Sequence, residues 1–186
     1  MRKLSIHEMG RLSVEEFHQS EKIPLTVVLD NVRSQNNIGS VFRTADAFRI
    51  EHIALCGICS TPPHRDIHKT ALGAEDSVEW SYYEETADCV RSLKNQGYAV
   101  YAVEQVDDSF LLGMSDNKYF NDSKIAIILG NELDGVQEDL LPLCDGSIEI
   151  PQFGTKHSLN VSCAAAIVMW ELFKHLSKKA FSNTSL

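Results

Sequence analysis

The segment from Leu25 to Leu55, "LTVVLDNVRSQNNIGSVFRTADAFRIEHIAL", decides how the rest of the chain is read. Its apolar run Leu25-Thr26-Val27-Val28-Leu29 ends in Asp30 and gives way to a polar stretch with adjacent amides, Asn36 and Asn37. A helical pattern over Ile38 to Phe48 follows, carrying Arg43, and then a second short apolar run from His52 to Leu55. Strand, helix and strand in that order predict parallel pairing, with the helix laid on one face of the sheet.

Outward from this unit the alternation continues. The pattern predicts strands over Val78 to Tyr82, Tyr98 to Val103, Ile125 to Leu129 and Ser147 to Ile150. Helices are expected near Thr86 to Gln96 and Val136 to Leu141, with a long final one from Leu159 to Lys178. No internal repeat or low-complexity linker divides the chain. The expectation is an α/β domain over residues 23–178, a mostly parallel sheet with helices on both faces, preceded by an arm at 1–22 and followed by a tail at 179–186.

The 186 residues suffice for a full core, and 44% hydrophobic with 23% charged residues is the composition of a globular protein. The apolar run Cys163 to Trp170 is too short to span a bilayer, and the N-terminus lacks the apolar centre of a signal peptide. A cytoplasmic protein with no membrane role is expected. Five cysteines, an odd number, fit reduced thiols better than a disulfide framework. The formal charge of −9 requires any polyanion partner to meet a local basic patch. Arg2, Lys3, Arg11, Lys174, Lys178 and Lys179 are the candidates for one.

Ligands of such sheets sit beyond the carboxyl ends of the strands, where three loops combine glycine with amides, hydroxyls or a carboxylate. In the first, Asn36 or Asn37 is a candidate helix cap, and Gly39 permits close approach of an anion, so a capped helix and a phosphate or carboxylate site are both open. In the second, "ILGNELDGV" at 128–136, Gly130 and Gly135 suit tight turns and Glu132 is a lone acid. In the third, "IPQFGTKHSLNVS" at 150–162, Ser158 and Asn160 stand where a helix begins, and capping explains at least one of them. The final helix has two apolar faces, Val161/Ala165/Val168/Leu172 and Cys163/Ile167/Trp170, which leaves internal packing and a homodimer both open.

Together these loops resemble the SpoU-type (TrmH-like) RNA ribose methyltransferases of the SPOUT superfamily. The matching residues are Asn37-Ile38-Gly39 with Arg43-Thr44-Ala45-Asp46-Ala47-Phe48, then Leu129-Gly130-Asn131-Glu132 with Gly135, then Ile150-Pro151 with Ser158-Leu159-Asn160-Val161-Ser162. "KTALGAEDSV" at 69–78 is similar to the family's middle segment. The resemblance implies a deep C-terminal trefoil knot, a homodimer, S-adenosylmethionine as cofactor, and methylation of a ribose 2'-hydroxyl in tRNA or rRNA. It implies cofactor contacts at Val103, Glu104, Gly130, Asn131, Ile150 and Leu159, the glycine and the last two largely through backbone. It implies catalytic-site roles for Arg43, Asn37, Ser158, Glu132 and Asn160.

The family role of the arginine is general base. Guanidinium groups in proteins hold their proton, with a pKa of roughly 12.5 or above, so a second role carries equal weight. A protonated Arg43 would clamp the substrate phosphate and stabilise the developing alkoxide, while phosphate or water takes the proton. Asn37 and Ser158 would orient arginine or ribose, and Glu132 and Asn160 would hold the loops in register. One departure is Arg49, where many relatives have glycine, so a different turn into the second strand is expected. The larger relatives' extra N-terminal RNA-binding domain is not expected here.

Other readings compete. Cys56, Cys59, His64 and His68 are zinc-type ligands, but their central spacing is far below the roughly 12 residues of a zinc finger. A non-catalytic RNA-binding module with the same fold is the main alternative. A phosphatase using Asp30 is a weaker one, because "LDNV" lacks the second aspartate of a D-x-D loop.

Overall fold

The computed structural model describes residues 1–114 and 123–180. The seven strands β1 (Ile23–Asp30), β2 (Ile50–Cys56), β3 (Trp80–Tyr83), β4 (Ala99–Val103), β5 (Phe110–Leu111), β6 (Ile125–Leu129) and β7 (Gly146–Glu149) form one sheet in the order β3-β2-β1-β6-β4-β7-β5. All six pairings are parallel. β1 and β6 are central and buried on both faces, which is why their sequences are continuous apolar runs rather than alternating ones.

Successive residues of these strands serve different layers. Leu25, Val27 and Leu29, with Ile125 and Ile127, belong to a core shared with α2 (Gln35–Ala47) and α6 (Val161–Ala180). Val28, Ala126 and Ile128 belong to the opposite core, shared with α5 (Thr86–Asn95). Helices therefore cover both faces, as expected. Val161, Ala165, Val168 and Leu172 of α6 are buried in the first core, whereas Cys163, Ile167 and Trp170 are exposed.

Several boundaries differ from expectation, each for a local reason. The helix expected over Val136–Leu141 is a 3-10 segment, Glu138–Leu143, which contains Pro142, a residue without the N–H that a longer α-helix would need. The 65–77 segment holds two short helices, α3 (Arg65–Ala71) and α4 (Ala74–Ser77), separated by Leu72 and Gly73 at positive φ. Neither is long enough to show a 3.6-residue period. α2 is capped by Ser34, whose Oγ accepts from Asn37 N at 3.3 Å, not by Asn36 or Asn37. The 1–22 segment carries α1 (Val14–Gln19), and its Phe17 enters the core. α6 extends through Ala180, and the predicted tail from 181 onward lies outside the described residues. Arg49 takes the left-handed conformation at φ 51° that glycine adopts without strain, so the turn has glycine-like geometry without the glycine.

At the end of β1, Asp30 is completely buried and accepts from Thr86 Oγ1 at 2.6 Å, Asn31 Nδ2 at 2.9 Å, and Gln137 through both its Nε2 (2.8 Å) and backbone N (3.1 Å). This carboxylate ties three elements together and has no open face for a substrate, which contradicts the phosphatase reading. Asp30→Ala leaves those donors unsatisfied and is expected to cost about 3 kcal/mol or more of stability. A thermal melt would register that as a fall of about 6–12 °C. An unchanged midpoint would refute the bracing role.

Candidate active site

A cavity of about 510 Å³ opens at the carboxyl ends of β4, β6 and β7. Val103, Glu104, Gly130, Asn131, Ile150 and Leu159 all line it, as do Glu132, Ser158 and Asn160. Its size lies in the range of small-molecule sites.

The loop after β6 is shaped by backbone contact. Asn131 and Gly135 exchange two hydrogen bonds of 3.1 Å, and Asn131 Oδ1 accepts from Leu133 N (2.8 Å) and Asp134 N (2.9 Å). A Cβ on Gly130 would lie 1.9 Å from the carbonyl carbon of Gly135, so only glycine fits there. Gly135 has φ 70°, and a Cβ on it would lie 2.2 Å from Glu104 Oε2. That same oxygen accepts from Val136 N at 3.1 Å, and Oε1 accepts from Gln105 N at 2.9 Å. Glu104 thus fastens the β4 exit to the loop.

The three motif loops meet through side chains. Asn160 Nδ2 donates to Asn37 Oδ1 at 3.2 Å, and Asn37 Nδ2 donates to Glu132 Oε1 at 2.8 Å. Glu132 Oε2 accepts from Arg33 N at 3.4 Å. Partial burial works to raise the pKa of Glu132, but the Asn37 amide and the backbone N–H groups of Glu132, Arg33 and Ser34 outweigh it and hold the carboxyl below its ordinary range. Asn160 is also the cap of α6, its Oδ1 accepting from Ser162 N at 3.0 Å. Capping and loop linkage are both true of one residue, because oxygen and nitrogen of the amide serve different partners.

Arg43 is placed differently. It is exposed on α2 and is not part of the cavity wall. Six residues at 3.6 per turn put it about a third of a turn round the helix from Asn37. Gly39 is not an anion cradle: it is buried against α3, where a Cβ would lie 2.3 Å from Ile67 O. Asp46 of the first motif accepts from Ser77 Oγ at 2.6 Å, locking α2 to α4. Gln105 and His157 line the cavity and were not singled out in the sequence; Gln105 Nε2 donates to His157 O at 3.1 Å. The carboxyl-end rule pointed at Gln105, which follows Glu104 directly.

The zinc-type residues form no group of three or more ligands among the described residues. Cys59 is buried, its Sγ donating to Leu29 O at 3.3 Å, and burial pushes its thiol up to about 12. Cys56 is held protonated by hydrogen bonding with Cys89 and by burial. His64 Nδ1 accepts from Asp66 N, and His68 Nδ1 lies 2.5 Å from Glu75. Of the basic-patch candidates, Arg2 pairs with Glu8 and Lys174 with Glu171; the Lys179 side chain lies outside the described residues.

Residues 24–170 match the profile of the SpoU rRNA Methylase family. The chain belongs to that family. Over 165 residues it is 32% identical to a tRNA (guanosine(18)-2'-O)-methyltransferase of Thermus thermophilus, spanning 88% of this chain and 81% of that protein. The AdoMet-bound rRNA methyltransferase of Sinorhizobium meliloti superposes with a TM-score of 0.75 at 28% identity, over 89% of this chain and 62% of that one. The A. aeolicus TrmH/SpoU tRNA modifying enzyme, at 23% identity, shares the fold with a TM-score of 0.78, covering 93% and 87% of the two chains. The matched span contains the two loops that line the cavity and the Asn37 segment that is hydrogen-bonded to them.

Proposed function

We propose that this protein transfers a methyl group from S-adenosylmethionine to a ribose 2'-hydroxyl of tRNA or rRNA. The observation that carries the reading is that Glu132 and Asn160, on two loops that wall one cavity, are both hydrogen-bonded to Asn37 of the third loop. The residues present fit the cofactor. Leu129, Ile148 and Val161 give the cavity an apolar wall, and Glu104, Glu132, Asp134 and Glu149 give it acidic groups suited to a ligand bearing a sulfonium and an ammonium. Gly130, Ile150 and Leu159 would hold it through backbone, with Val103, Glu104 and Asn131 beside them. When bound, S-adenosylmethionine supplies an electrophilic methyl group that needs little activation.

The chain's own task is the hydroxyl. Arg43 stands exposed on α2, where its planar fork can reach a substrate phosphate, so the clamp is its assigned role. Arg43 holds the substrate phosphate and stabilises the developing alkoxide, and phosphate or water accepts the proton. Ser158 and Asn37 orient the ribose, while Glu132 and Asn160 keep the loops in register.

The same proposal includes the methyltransferase domain at 23–178, the deep knot, a cytoplasmic location and a homodimer. The knot is supported by two loops sharing one cavity while α6 returns to pack on α2 and β1. The dimer is supported by Ile167 (41% exposed) and Trp170 (49%) beside an aromatic cluster in which Trp170 lies 5.6 Å from Phe48 and 5.8 Å from Phe173. Light scattering at micromolar concentration should give twice the chain mass; a monomer would remove the dimer.

Incubation with methyl-tritiated S-adenosylmethionine and bacterial tRNA or rRNA, followed by nucleoside mass analysis, tests the reaction. A 2'-O-methylated nucleoside is expected in one fraction. Cofactor binding without transfer to any RNA would favour the non-catalytic module.

A further inference from the structure

A second cavity, about 530 Å³, lies against the edge strand β3, at the opposite side of the sheet from β4 and β7. Trp80, Pro62 and Pro63 supply its apolar lining, and His64, Arg65 and His68 its basic groups. The polar atoms are unequally committed. Glu75 is spent, one oxygen 2.5 Å from His68 Nδ1 and the other accepting from Gly73 N at 3.0 Å. His64 Nδ1 accepts from Asp66 N at 3.2 Å, so the neutral ring carries its proton on Nε2 and can donate from there. Arg65 is exposed and forms no ion pair among the described residues. In a chain of net charge −9, this wall offers a guanidinium fork and an imidazole N–H beside a large aromatic ring. Asp76 adds one acceptor at the same cavity.

A planar base with an attached phosphate satisfies that set: stacking on Trp80, a bidentate anion on Arg65, and an amino donor for Asp76. We propose that the cavity takes a nucleotide of the substrate RNA away from the reacting ribose. The link to the reaction is structural. α3, which carries Arg65 and His68, is pressed against α2 at Gly39, and α2 carries Asn37 and Arg43. Helices packed this way lie about 8–10 Å apart or closer, so one RNA strand spans both places within a few nucleotides. The proposal rests on the methyltransferase reading.

Arg65→Gln and Trp80→Leu separate the contributions. With the RNA fraction that accepts methyl groups, each is expected to raise KM about tenfold while leaving kcat and cofactor affinity unchanged. Arg65→Gln should also lower the slope of log KM against log salt by roughly 0.7–0.9, as loss of one phosphate contact requires, whereas Trp80→Leu should leave that slope alone. Trp80→Phe keeps a ring and should restore most of the affinity. In a Trp170→Phe background Trp80 is the remaining tryptophan, and its fluorescence should be quenched by tRNA or rRNA and not by millimolar 5'-mononucleotides. Unchanged KM and salt slope in both variants would overturn the proposal, as would quenching by mononucleotides alone, which would mark a free-nucleotide site. If the wild-type protein methylates no RNA, the reaction reading fails separately; saturable, salt-dependent quenching by RNA would then still support the contact, and its absence would overturn it.

Discussion

Arg43→Ala is expected to lose methyl transfer by at least about 10²–10³-fold in kcat, the usual cost of removing a group that stabilises a developing oxyanion. Cofactor affinity should stay at the wild-type level, because Arg43 is outside the cavity wall and in none of the hydrogen bonds joining Asn160, Asn37 and Glu132. Single-turnover transfer paired with calorimetry of S-adenosylmethionine binding measures both quantities. Full activity in Arg43→Ala would end the assignment; loss of both activity and cofactor binding would make the residue structural. Arg43→Lys refines the result. Lysine keeps the charge and loses the planar fork, so a clamp that depends on bidentate phosphate geometry should recover only a small part of the rate.

The sequence made the sheet legible because its central strands are buried on both faces. The runs 25–30 and 125–129 are apolar apart from Thr26 and the closing Asp30, and such runs are strands of a parallel sheet. The cavity was legible through the motifs, since every cofactor position read from them lines it. Roles decided by tertiary contact were not legible. Gly39 has the local appearance of an anion site, yet its missing side chain admits α3, whose approach leaves no local signal. Asp30 resembles an isolated carboxylate until Thr86 and Gln137, distant in sequence, close on it. α3 and α4 escaped because positive φ at Leu72 and Gly73 breaks the period after two turns. The amide of Asn160 shows the same limit from the other side. A cap is visible in sequence from its neighbours, but its bond to Asn37 joins residues 123 apart.

Gly130→Ala should weaken cofactor binding while leaving most of the fold in place. The added methyl would meet Gly135 C at 1.9 Å, Gly135 O at 2.0 Å and Val136 N at 2.1 Å, all backbone atoms with no flexible end to swing aside. Gly135 has little room to retreat, because it sits against Glu104, and Val136 N is tied to the same carboxylate. Relief therefore requires opening the paired hydrogen bonds between Asn131 and Gly135, which shape the wall. Forced rearrangement of this kind costs about 1–3 kcal/mol in stability. If the opened loop forfeits a similar amount in the complex, calorimetry should find the affinity for S-adenosylmethionine weakened by roughly 5–150-fold. The sheet core is built from other residues, so the circular dichroism spectrum should be retained. Gly154→Ala is the control: a Cβ there meets nothing within 4 Å, and its affinity should match the wild type. Wild-type affinity in Gly130→Ala would mean that the loop after β6 is not the cofactor's cradle, whereas equal losses in both variants would trace the effect to general loop disturbance rather than to the contact between Gly130 and Gly135.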